Sequence, residues 1–107
     1  MADAAVPEAV VVVTGPFEGA AVETWRRLIA DAVAARPGRL VVDLAKCVRL
    51  DAAAIVVLLD AHRDMLRSDG RLTLRSPSAR VRRTLSLARA DGVFDIENVG
   101  LSTAAPE

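Results

Sequence analysis

Leu40–Arg63, LVVDLAKCVRLDAAAIVVLLDAHR, is the stretch whose reading decides the fold. Leu40–Leu44 is an apolar run that predicts a buried strand, and a short loop follows it. Asp51 then stands directly before a long apolar segment, which places it as the N-cap of a helix reaching to about Arg67. The first turn of that helix reads Ala52, Ala53, Ala54. Free backbone N–H groups and the helix dipole make such a turn a favourable place for a phosphate. No hydroxyl is there to carry one.

Outward from this stretch the same alternation repeats. Ala9–Thr14 (AVVVVT) is a β-branched strand stopped by Gly15-Pro16. Val22–Ala35 places Val22, Trp25, Leu28, Ile29 and Val33 at helical spacing, and Arg36-Pro37-Gly38 ends that helix. After the Asp51 helix, Ser68-Asp69-Gly70 reads as a glycine C-cap. Arg71–Arg75 alternates as a strand. Ser76-Pro77 reads as an N-cap with proline at the first helical position, opening a helix to Leu87 or Ala88, and Phe94–Val99 forms a last strand. The order β, α, β, α, β, α, β calls for an α/β sandwich with a sheet largely parallel in its centre. Residues 1–8 read as a flexible leader, 9–100 as one domain and 101–107 as a flexible tail.

Composition narrows the function. The 107 residues suffice for one domain and one core. Lys plus Arg and Asp plus Glu number 14 each, so the net charge of zero gives no reason to expect a nucleic-acid partner. The longest apolar run, Ala52–Leu59, is far below the roughly 18 residues of a membrane span, and no membrane insertion is expected. With one cysteine and no secretory signal the expected home is the cytoplasm. Only three aromatic residues occur, Phe17, Trp25 and Phe94, too few for a base-stacking platform.

Catalytic chemistry finds no constellation. His62 is the only histidine and Cys47 the only cysteine, 15 residues apart, which leaves no metal set and no cofactor expectation. Asp43 with Asp51, and Asp60 with Asp64, are carboxylate pairs lacking a partnering base or nucleophile, so they read as solvated or capping groups. Cys47 reads as an inert buried thiol, with a redox role requiring exposure and a lowered pKa near Lys46 and Arg49. No enzyme is expected. Arg71, Arg75, Arg80, Arg82, Arg83 and Arg89 follow one another without an intervening acid, a solvated face or a docking surface for an acidic protein.

On the Asp51 helix, Ile55, Leu58, Leu59, His62 and Leu66 share a face suited to the core, while Val56, Asp60, Arg63 and Arg67 lie on another side. Val56 is then either an exposed apolar contact or a residue packed under a neighbouring loop. Glu18, Asp51, Ala52, Ala53, Ala54, Val56, Asp60 and Arg63 make up the candidate partner-binding surface.

Gly15-Pro16-Phe17-Glu18 (G-x-x-[DE]), then VVDL-x-x-C-x-x-LD-A-A-A, then DGRLTLRSPSARVRRTLSLARADGVFDI, together resemble the STAS domain family, which includes bacterial anti-sigma-factor antagonists. The likeness runs from about Ala9 to Val99. It implies the SpoIIAA-like fold, a mixed sheet of four to five strands with helices packed mainly on one face. A strand common near the family's N-terminus is not evident before Ala9. In such antagonists the loop-to-helix segment usually reads D-S-[ST]-G, and a partner anti-sigma factor that is a serine kinase phosphorylates the first serine. Here Asp51 matches the aspartate, Ala52 stands at the phosphoacceptor, Ala53 at the second hydroxyl and Ala54 at the glycine. Cys47 stands where the family usually has an aliphatic residue.

The resemblance implies a regulator that binds a kinase-type anti-sigma factor and frees a sigma factor, without phosphorylation at the usual site. Its alternative is a STAS subunit stabilising the ATPase of a transporter or lipid-transport complex. A homodimer through the Val56 region or the leading strand edge is a further partner to test.

Overall fold

Residues 7–98 are described by a computed structural model, in which seven elements alternate along the chain. These are β1 (Glu8–Phe17), α1 (Ala21–Ala34), β2 (Arg39–Leu50), α2 (Ala52–Arg67), β3 (Arg71–Arg75), α3 (Ala79–Leu87) and β4 (Asp95–Glu97). The sheet order is β1-β2-β3-β4, and all three pairings are parallel. A helix crosses over at every step, so no antiparallel pair arises among the described residues. The expected α/β sandwich is thus present with four strands, its sheet parallel throughout the described residues where the resemblance implied a mixed one. Residues 1–6 of the expected leader, the expected tail 101–107 and the end of the last strand at Val99 lie outside the described residues. Glu8, expected in the leader, is already the first residue of β1, and the Pro7 carbonyl accepts the Arg39 N–H at 3.1 Å.

Strand alternation decides which face is covered. Val13, Leu40, Val42, Leu44, Leu72 and Leu74 point one way and join a single core with Ile29 of α1, Leu58 and Met65 of α2, and Val81 and Leu85 of α3. The helices therefore share one face of the sheet. On the opposite face Val10 and Val12 are nearly half exposed, and charged side chains bridge the strands. Arg39 binds Glu8 and Glu97, Arg75 binds Glu97 at 3.0 Å, and Arg71 reaches Asp95 at 3.5 Å. Arg39 holds the Glu97 carboxyl below the usual range, with Arg75 adding to the effect.

Both leading strands run further than their apolar cores. β1 continues through Gly15 (φ 74°) and Pro16 to Phe17, and β2 continues through Lys46 and Arg49 to Leu50. Register shifts between Val12 and Thr14, and between Gly15 and Phe17, each insert one extra β2 residue against β1. The shifts let Phe17, Cys47 and Leu50 bury while Ala45, Lys46, Val48 and Arg49 stay exposed. Pro16 is tolerated because β1 has no second strand neighbour among the described residues.

The helices correct three expectations. Ser78, not Ser76, caps α3, its Oγ accepting the Val81 N–H at 3.1 Å; Ser76 has φ 53° and lies before the helix. α1, α2 and α3 are each followed by a left-handed residue that is not glycine: Arg36, Asp69 and Arg89. After α2 the Gly70 N–H returns to the Met65 carbonyl at 2.7 Å and the Asp69 N–H to Leu66 at 3.1 Å, a Schellman closure. Gly70 is needed for room: a Cβ there would stand 2.6 Å from Met65 Cε and 2.9 Å from the Pro37 carbonyl oxygen. On α2 the core face is Ala54, Ile55, Val57, Leu58, Ala61 and Met65, while Leu66, expected inside, is 53% exposed.

Candidate functional site

The carboxyl ends of β1 and β2 bring the start of α2 against the loop after β1. The Asp51 N–H donates to the Phe17 carbonyl at 3.3 Å, which aligns the two strand ends. Asp51 is extended (φ −106°, ψ −178°), the usual N-cap geometry, and its Oδ1 accepts the Ala54 N–H at 2.9 Å. Its Oδ2 accepts the Gly19 N–H at 3.0 Å. One carboxylate thus caps a helix and ties down a loop 32 residues away. The Gly19 N–H, then that of Ala54, hold the Asp51 carboxyl below its ordinary range, because both stabilise the ionised form.

A second tie runs parallel to the first. Arg49, at the end of β2, donates from Nε to both Glu18 oxygens at 3.0 and 3.1 Å, with a further guanidinium nitrogen at 2.9 Å. Glu18 is therefore engaged by its own chain and stays partly exposed. Neither Arg49 nor Gly19 stands out in the sequence. A lone arginine and a glycine acquire their roles only when strands 31 and 32 residues apart are laid side by side.

Ala52 and Ala53 are exposed on the first turn of α2, and Val56 one turn on is 54% exposed. Val56 does not pack under a loop. Asp60 and Arg63 continue the strip, paired with each other at 3.1 Å. Ala54 does not belong to it: it is fully buried, one turn before Leu58 on the core face of α2. The strip that remains is small and apolar at the helix start and charged further along.

The other candidates have local explanations. Asp43 Oδ1 accepts the Ala45 N–H at 2.9 Å, and Asp64 pairs with Arg67 at 3.0 Å. Cys47 is buried, and that burial raises its thiol pKa above the ordinary value, opposite to what a redox sensor needs. The His62 ring meets Phe94 edge-on at 5.8 Å, and no cluster of metal-ligating groups occurs among the described residues. Two surface cavities measure about 170 Å³ between α1 and α2 and about 220 Å³ beside His62, Leu66 and Val93. Small-molecule pockets are typically about 300–1,000 Å³. No helix of the described residues is long and apolar enough to cross a membrane.

A parallel α/β sheet with its helices on one face and a braced surface strip at its strand ends defines a small α/β domain. The STAS domain profile matches residues 2–103, and the chain belongs to the STAS domain family. Solved structures share its fold. An anti-sigma factor antagonist from Mycobacterium paratuberculosis superposes with a TM-score of 0.78 at 22% identity, over 92% of this chain and 82% of that one. The Bacillus cell fate determinant SpoIIAA in its phosphorylated form gives a TM-score of 0.69 at 18% identity, over 96% of this chain and 92% of that one. Protein TM1081 of Thermotoga maritima gives 0.73 at 18% identity, over 88% and 83%. No curated protein sequence matches the chain.

Proposed function

We propose that this STAS domain is an anti-sigma factor antagonist-like regulator that binds an anti-sigma factor of the serine kinase type, frees a sigma factor, and acts by binding without catalysis. The observation that carries this reading is the exposed strip of Ala52, Ala53 and Val56 at the start of α2, held in place by the two-way bond of Asp51 to Ala54 and Gly19. A partner laid on this strip covers the methyl groups of Ala52 and Ala53 and the Val56 side chain. Glu18, Asp60 and Arg63 form its polar rim. The SpoIIAA neighbours carry the name of anti-sigma factor antagonist and occur in phosphorylated and unphosphorylated forms.

Ala52 removes the phosphorylation switch at this turn. A phosphate would add roughly −1.5 to −2 charges in the middle of the contact strip. The Ala52 methyl accepts no phosphoryl group, so the surface stays competent for its partner and control passes to abundance or to another input. The kinase-type partner then binds a substrate-like surface that it cannot modify at this position.

The test is affinity capture from a lysate of the source organism, followed by titration of the purified partner. An anti-sigma kinase is expected to bind the native chain. Val56→Arg and Ala52→Glu are expected to weaken it by at least about tenfold, equivalent to about 1.4 kcal/mol. Ala52→Ser, incubated with that kinase and ATP, is expected to gain one phosphate that the native chain does not. Recovery of an ATPase of a transport complex instead would move the chain to the transporter-subunit reading. Unchanged binding by Val56→Arg and Ala52→Glu would remove the α2 strip as the contact.

A further inference from the structure

Most positive charge in this domain is matched by an acidic partner within the chain. Arg26 and Arg27 share Glu23, Arg39 and Arg75 share Glu8 and Glu97, and Arg49, Arg63, Arg67 and Arg71 bind Glu18, Asp60, Asp64 and Asp95. Among the described residues the side chains of Arg36 and Lys46 stand singly without such a partner, and the other unmatched cations cluster on α3 and just beyond its end. Among the described residues the side chains of Arg80, Arg83 and Arg89 make no ion pair or hydrogen bond, and the Arg82 side chain only donates to the Asn98 side chain at 3.2 Å.

These side chains share a face. At about 100° per residue, Val81 and Leu85 point to the core, and Arg82, Ser86, Arg83, Leu87 and Arg80 span an arc of about 160° on the far side. Leu87 lies between Arg83 and Arg80 on that arc and, at 79%, is the most exposed large apolar residue described. Electrostatics within α3 opposes this arrangement. α3 has no acid in its first turn, so Arg80 and Arg82 oppose the positive end of the helix dipole. Arg80 and Arg83 are like charges at i, i+3, a repulsive spacing. Isolated leucines on a surface are ordinary, but this one shares its arc with Arg80 and Arg83, which have no acidic partner among the described residues.

We propose that the outer face of α3 is a second docking surface, built for an acidic amphipathic protein segment whose carboxylates meet Arg80 and Arg83 and whose apolar side chain covers Leu87. Such a segment supplies the missing counter-charge and the missing apolar contact together. A nucleic acid would use the arginines but would leave Leu87 uncovered, and the zero net charge of the chain offers it no wider field. The surface lies on a different helix from the Ala52–Val56 strip, so the two readings stand or fall separately.

The test is fluorescence anisotropy of a labelled peptide of Glu residues with Leu at helical spacing, run beside the same peptide with Ser for Leu, a DNA duplex and phosphatidylglycerol vesicles. The Glu/Leu peptide is expected to bind best, and less tightly as salt rises from about 0.05 to 0.3 M. Arg80→Glu with Arg83→Glu is expected to weaken it at least tenfold, and Leu87→Ser about threefold or more. Val56→Arg is expected to leave it unchanged. Should the double variant unfold, Ser86→Glu puts a single carboxylate into the same arc and must also weaken binding. The proposal is overturned if the Glu/Leu peptide does not bind, if it binds all variants equally, or if DNA or vesicles bind more tightly through the same arginines.

Discussion

Replacing Asp51 by alanine removes two hydrogen bonds that no neighbour can replace, and the size of the loss follows from their geometry. The Ala54 N–H at 2.9 Å is a helix-cap bond, worth about 1 kcal/mol in such substitutions. The Gly19 N–H at 3.0 Å belongs to an exposed loop and adds about 0.5–1 kcal/mol. The expected cost of Asp51→Ala is therefore about 1.5–2 kcal/mol, read as a fall in midpoint of roughly 6–15 °C for a domain of this size. Asp51→Asn keeps one oxygen for Ala54, but its amide nitrogen cannot accept from Gly19, so about half the loss is expected. Because the native carboxyl titrates below its ordinary value of 3.8, its contribution is complete above that pH and fades as pH falls through the lower native pKa. Denaturant unfolding of the native chain and both variants at pH 7, 5, 4 and 3.5 is the assay. The gap between native and Asp51→Asn is expected to be constant from pH 7 to 5 and to narrow progressively as pH falls below about 4. Asn as costly as Ala, or a gap independent of pH, would refute the two-bond account.

Three further outcomes test the packing and the charges. Gly70→Ala is expected to cost about 1–3 kcal/mol, since its Cβ must displace Met65 or the Pro37 carbonyl, whereas Gly92→Ala meets nothing within 4 Å and is expected to be neutral or stabilising; thermal melts of the pair decide it. Cys47 is expected to react with Ellman's reagent only as fast as the domain opens, because the thiol is buried and its pKa is raised; prompt labelling of the native protein would contradict this. Glu97→Gln is expected to lower the denaturant midpoint at pH 7 and to match the native chain increasingly as pH drops below the ordinary glutamate value, since Arg39 and Arg75 depress the native carboxyl.

How much could be read before folding depends on the range of each interaction. The seven elements and the Asp51 cap follow from periodicity and capping, which act within one or two turns, whereas the exposure of Val56 was left open by them and decided by the packing of α2. β3 runs over Arg71–Arg75 as its alternation predicts. Errors fell where a local signal was outbid from afar. Gly15-Pro16 reads as a strand stop, yet pairing with Cys47 carries β1 across it to Phe17. Gly70 reads as a left-handed cap, yet Asp69 takes that conformation and glycine serves the close approach of Met65 and Pro37. Leu66 reads as core, but the one-sided sheet covers too narrow an arc of α2 to reach it.

The sequence by itself determined the alternation of strands and helices, the family likeness and the missing hydroxyl at Ala52, because each rests on neighbouring residues or on composition. Only the tertiary structure decided that Asp51 reaches Gly19, that Arg49 holds Glu18, that Ala54 leaves the surface, and that the arginines of α3 alone among the helices lack acidic partners. Those facts depend on distances between segments about 30 residues apart, or on which side of a helix the sheet happens to cover. Parallel pairing through helical crossovers fixes both, and no local pattern encodes them.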